Sequence, residues 1–101
     1  MKTLTGILAV LIFISLATAV SAQGDAAAGE EKSALCAACH GADGNSPNDL
    51  WPNLTGQKFG YLVKQMKAFR DGSRSDPLMS PMAAPLTDAD IDNLAAYYSS
   101  L

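Results

Sequence analysis

A chain of 101 residues with seven Lys and Arg against ten Asp and Glu carries a formal net charge of −3; it is one small domain at most and offers no basic face for nucleic acid. Two cysteines allow a single disulfide, in a domain of a size that buries only roughly 60% of its unfolded surface. Its own side chains therefore leave the core short, and something else has to complete it.

The first element is an apolar run. Lys2 gives a short positive start, "LTGILAVLIFISLATA" is too short for a comfortable membrane span, and "VSA" at Val20 to Ala22 offers small residues to a signal peptidase. We expect a cleaved signal peptide over 1–22, a mature domain over 23–101, periplasmic delivery and no membrane span after cleavage. An uncleaved anchor is the competing reading, and the length of the run argues against it. Without Lys2 the mature part keeps six basic side chains against ten acidic ones, a formal charge of −4. That balance keeps a small protein soluble and can steer a basic partner.

Strand formers are nearly absent from the mature region, which holds Val63, Ile91 and two threonines. No stretch alternates with period two, so the pattern is all-α, with three main helices. The first starts at Asp25 as N-cap and runs through "AAAGEEKSALCAAC". A second carries Phe59, Leu62, Val63, Met66 and Phe69 along one face, with Thr55 as cap and "DGS" at Asp71 to Ser73 as its stop. The third opens with Thr87 as cap and Asp90 at the reciprocal capping-box position, and Ile91, Leu94, Ala95 and Tyr98 form its stripe. Two loops of about a dozen residues, Gly41 to Asn53 and Ser73 to Pro85, lie between the helices. Loops that long in so small a domain usually wrap something.

Both cysteines and the only histidine fall in "CAACH", Cys36 to His40. C-x-x-C-H is the attachment signature of c-type haem. At a helix end, residues three apart share a face, so Cys36 and Cys39 can each form a thioether to one vinyl group while His40 puts an imidazole nitrogen on the iron. Three other uses compete. A zinc site is one ligand short unless a carboxylate joins. A thioredoxin-like redox pair wants a preceding strand, which the chain does not offer. A structural disulfide closes so short a loop that its entropic gain is small. Export, an all-α pattern and an unfinished core all favour haem, a large apolar disc that two loops can enclose.

The iron's other face calls for a second ligand, and thioether sulfur serves while raising the reduction potential. Met66 belongs to the stripe of the second helix, where packing accounts for it. Met79 and Met82 lie in the "LMSPMAAP" loop, restrained by Pro77, Pro81 and Pro85, and spacing does not choose between them.

"CAACHGADGNSP", "WPNLTGQ", "YLVKQMKAFRDGSR" and "MSPMAAPLTDADIDNLAAYYSSL" resemble, in order and over nearly all the mature chain, the small bacterial class I cytochromes c, especially each half of their dihaem relatives. The resemblance implies that Met79, the first of the M-x-x-M pair, is the iron ligand and Met82 the runner-up. It implies that the Pro52 carbonyl accepts the proton of the axial histidine's second nitrogen, and that Leu54 packs on the haem face. It also implies that Gly29 lets the first and last helices cross closely against Tyr97. Tyr61, Arg70, Arg74 and Trp51 are candidates for the haem propionates, with Arg70 equally suited to balancing nearby acids.

The functional expectation is a soluble periplasmic monomer holding one covalent haem c with His40 and Met79 on the iron. It would pass single electrons between redox proteins that dock briefly at the exposed haem edge. The chain offers no spare base or nucleophile in an organised pair, so no catalysis is expected. Two alternatives remain: an electron-exit subunit of a larger oxidoreductase, and a ligand-sensing or peroxidase-like haem protein with a labile methionine.

Overall fold

The computed structural model describes residues 1–15 and 23–101. Residues 1–15 form no helix or strand, and the expected cleavage stretch Val20 to Ala22 lies outside the described residues. The described chain is all-α: helices α1 (Ala26–Lys32), α2 (Ala37–His40), α3 (Phe59–Asp71), α4 (Met79–Ala83) and α5 (Asp88–Ser99), with a 3-10 turn at Ser33–Leu35. None of the helices among the described residues is long and apolar enough to cross a membrane.

Five helices replace the three expected, for local reasons. Asp25 caps α1 as anticipated, its carboxylate accepting the Ala27 and Ala28 N–H groups at 2.9 and 3.3 Å. The helix does not run on to Cys39. The Ser33 hydroxyl donates to the Glu30 carbonyl at 2.6 Å, and the Cys36 N–H reaches back only three residues, to Ser33. A short side chain that bonds the preceding turn tightens and ends a helix in this way. The single turn of α2 then carries Cys39 and His40.

Thr55 does not cap the next helix. Its hydroxyl donates to the Asp43 carbonyl instead, and α3 begins after Lys58, an extended N-cap without a side-chain bond. Gly72 closes α3 in the left-handed region, φ +87°, donating to the Ala68 carbonyl at 3.0 Å. The stretch from Ser73 to Pro85 is only partly loop, because α4 forms inside it. At α5 the expected reciprocal bonds of Thr87 and Asp90 are both present, each 3.0 Å.

The core is centred on α5. Ile91, Leu94, Ala95, Tyr97 and Tyr98 are buried there, joined by Leu62 of α3 and by Ala83 and Leu86. α1 crosses α5 at Gly29, where an added Cβ would fall on the Asn93 carbonyl and lie 2.9 Å from the Tyr97 Cβ. Asn93 also ties the start of α1 to α5, its side-chain oxygen accepting the Asp25 N–H at 2.8 Å. The close crossing against Tyr97 is therefore present as anticipated.

Candidate functional site

His40 ends α2 and is buried. Its Nδ1 lies 2.8 Å from the Pro52 carbonyl oxygen. A carbonyl only accepts, so Nδ1 is the donor and Nε2 is the ring nitrogen left to act as a ligand. Two features fix this pair. Gly41, at φ +84°, turns the chain sharply after the histidine, where a side chain would strike the Asn45 backbone. The loop carrying Pro52 is pinned on both sides: the Asn53 side chain accepts the Ser46 N–H at 2.7 Å, and the Leu54 N–H donates to the Gly44 carbonyl at 2.7 Å.

His40 borders a cavity of about 770 Å³, within the 300–1,000 Å³ usual for ligand and cofactor pockets. Cys36, Cys39, Pro52 and Leu54 line it, as do Met79 and Met82 from α4. Leu62, Met66, Phe69 and Leu94 supply apolar wall, so Met66 serves both the stripe of α3 and the cavity. Leu54 packs against the core as well as facing the cavity. Cys36 and Cys39 are unbridged.

Burial pushes the Cys36 thiol above the ordinary range; its contact with Tyr98 opposes this, and Cys39 adds a smaller upward push. The thiol is therefore protonated and a poor nucleophile at neutral pH. Burial first, then the adjacent Cys36, holds the Tyr98 phenol above its usual range. Tyr98 lines the cavity, and its hydroxyl is buried with no partner in hydrogen-bonding geometry, although it sits close enough to Cys36 to be felt electrostatically.

An apolar cavity of this size, two unbridged cysteines, an imidazole with an available Nε2, two thioether sulfurs and an unpaired hydroxyl together fit a covalently held haem. Trp51, Tyr61 and Arg74 also line the cavity, which keeps them candidates for its acidic edge. Arg74 is partly engaged, its guanidinium donating to Gln65 at 2.7 Å and lying 4.4 Å from the Phe69 ring centre. Arg70 is not at the cavity. It donates to Asp71 at 2.9 Å, to Asp88 at 2.7 Å and to the Leu86 carbonyl at 3.2 Å, so its role is to balance acids and join α3 to α5. Among the cavity residues that escaped the sequence reading are Tyr98, which periodicity assigned to plain core, and Asp76, which precedes α4. The "DP" at Asp76 and Pro77, a turn-forming pair just ahead of a helix, was the available signal for the latter.

Comparison with known proteins agrees with this chemistry. A family model described as Cytochrome c matches residues 26–101. Cytochrome c-554(548) of Halomonas halodenitrificans is 55% identical over 80 residues, covering 76% of this chain and 96% of the relative. A protein of Thiomonas intermedia named thiosulfate dehydrogenase electron acceptor is 45% identical over 76 residues, covering 74% of this chain and 35% of the relative. The crystal structure of reduced recombinant cytochrome c4 from Pseudomonas stutzeri superposes with a TM-score of 0.73 at 45% identity, covering 76% of this chain and 45% of that one. The chain thus spans nearly all of the Halomonas relative and about half the length of the cytochromes c4 it matches. With a family model covering 26–101 and a full-length relative at 55% identity, the chain belongs to the cytochrome c family, as a helical electron carrier with covalently bound haem c.

Proposed function

We propose that this cytochrome is an exported, freely diffusing periplasmic carrier in which Cys36 and Cys39 hold the haem and His40 and Met79 bind its iron. The observation that supports the reading most directly is the 2.8 Å contact between His40 Nδ1 and the Pro52 carbonyl, beside a cavity bordered by both cysteines and both methionines. Bound there, haem c supplies a one-electron ferric–ferrous couple. The chain's own residues do the rest. Pro52 fixes the orientation of the imidazole and raises the donor strength of Nε2, as such partners of metal-binding histidines do. Met79 supplies a soft sulfur that favours the ferrous state. Leu62, Phe69 and Leu94 keep water from the interior of the site.

With His40 and Met79 both holding the group, the site would offer no place for a substrate to bind it. The rim residues Leu35, Leu50 and Leu78 are exposed at the cavity mouth. They offer a small apolar contact where redox partners dock weakly and leave quickly. The acidic surface outside that rim sets the rate of encounter more than the final affinity.

The reading is tested by the far-red sulfur-to-iron band of the oxidised, haem-loaded protein. Met79→Ala abolishes that band and lowers the potential, whereas Met82→Ala leaves it in place. Retention of the band in Met79→Ala would assign the ligand to Met82. Carbon monoxide binding to the reduced wild-type protein that is far slower than at an open haem site distinguishes the carrier from a sensor or peroxidase-like protein.

A second reading, a fixed electron-exit subunit, is favoured by the relative named thiosulfate dehydrogenase electron acceptor. Recovery of the chain in a one-to-one complex with a dehydrogenase, stable through dilution, would select it over the free carrier.

A further inference from the structure

Met79 and Met82 stand three residues apart on α4 and both line the cavity. Positions three apart share a helix face, and the two sulfurs have identical chemistry. What differs between them is how the backbone is held.

Asp76 does the holding. One of its carboxylate oxygens accepts the N–H of Leu78 at 2.8 Å and of Met79 at 2.9 Å. Its own N–H donates to the Ser80 hydroxyl at 2.9 Å, and its carbonyl accepts the Ser80 N–H at 3.0 Å. Pro77 sits between, in the turn ahead of α4, and its fixed φ restricts that backbone. These four bonds close on residues 78–80 and stop short of Met82, which is 41% exposed.

We propose that Asp76 is a positioning residue that selects Met79 over Met82 as the sulfur ligand and keeps it in place, acting through the Met79 amide and Ser80. This rests on the reading that Met79 binds the iron. Thioether sulfur is a weak ligand, so its occupancy depends on how little freedom the backbone beneath it has. Without the carboxylate the Leu78 and Met79 amides at the head of α4 lose their acceptor, the Met79 sulfur leaves more often, and Met82 competes for the place.

The test uses the exported, haem-loaded protein. Asp76→Ala is expected to bind carbon monoxide in its reduced form about fivefold faster than wild type, the change in open population that loss of a typical cap of about 1 kcal/mol produces. Its ferric far-red band should weaken in parallel. Asp76→Asn, which keeps the acceptor oxygen, should stay within twofold of wild type in both readouts. Ser80→Ala, which frees Asp76 from the other side, should move carbon monoxide binding in the same direction by a smaller factor, and it remains informative if Asp76→Ala does not accumulate.

A lower melting temperature in Asp76→Ala with unchanged carbon monoxide binding would reduce Asp76 to a structural cap and overturn the proposal. So would a Ser80→Ala protein indistinguishable from wild type. The underlying reading fails separately. If Met82→Ala, and not Met79→Ala, loses the far-red band in the otherwise unaltered chain, the ligand assignment is wrong whatever Asp76 does.

Discussion

Tyr98 lines the cavity and its buried hydroxyl has no partner in bonding geometry, and an unpaired buried polar group of this kind costs about 1–3 kcal/mol. Replacing it with phenylalanine keeps the ring and removes the unpaired group. Tyr98→Phe in the loaded protein should therefore unfold in urea at the same or a higher midpoint, with its visible bands intact. A midpoint lowered by the equivalent of more than about 1 kcal/mol would mean that the hydroxyl gains a partner when the cavity is filled. Residue identity was legible in the sequence where chemistry is rare: the lone histidine and the two cysteines announced themselves by scarcity and spacing. Tyr98 did not, because helical periodicity reports which face a residue is on and not where its terminal oxygen ends up. The Pro52 carbonyl came from resemblance, since no local pattern shows a backbone oxygen 12 residues away reaching an imidazole.

Two glycines in helices make opposite demands. Gly29 lies where α1 and α5 touch, and a methyl group there meets the Asn93 backbone. Backbone cannot swing aside as a side chain can, so Gly29→Ala should cost about 2–3 kcal/mol, read by urea unfolding. Gly60, near the start of α3, has open space around it and ordinary φ, so Gly60→Ala should stabilise by about 0.5 kcal/mol. Equal effects at the two positions would contradict the crossing geometry.

The start of α5 supplies a pH dependence. The Arg70 guanidinium holds the Asp88 carboxyl below the usual carboxylate range, and the Thr87 N–H does so for Asp90. Carboxyls depressed in the folded state stabilise it fully above their unfolded values, near pH 4, and that stabilisation disappears as pH falls through the folded ones. The melting midpoint should thus be level from pH 7 to 5 and fall below about pH 4, and Asp88→Asn should shrink the fall. A decline already complete by pH 5 would assign it to other groups.

Among the elements, caps and periodicity located α5 and the end of α3 because those signals are local. The break after Lys32 and the helix α4 were missed for a shared reason. Ser33 and Asp76 act through bonds to backbone groups, and the proline-rich composition around Met79 resembles a loop until the Asp76 bonds to the Leu78 and Met79 amides are seen.

For the whole molecule, the proposed carrier role would have the acidic surface and the apolar rim around the cavity divide the work of docking. Ten acidic against seven basic side chains in the full chain give a field that a basic partner feels at a distance and that salt screens beyond about 10 Å at 0.1 M. Electron transfer to such a partner, followed by stopped flow, should slow as ionic strength rises. A rate constant flat across the series would place recognition on the apolar rim alone.

The same scale explains why this fold needs its cofactor. A cavity of about 770 Å³ bordered by Leu62, Met66, Phe69 and Leu94 occupies the place where a larger domain would put side chains. The most direct test of that claim is thermal unfolding of the haem-free chain, followed by far-ultraviolet circular dichroism beside the matured protein. The matured protein should melt cooperatively, and the haem-free chain should show little helix and no transition. A haem-free chain with full helical signal and a sharp melting curve would mean that the polypeptide builds its core alone.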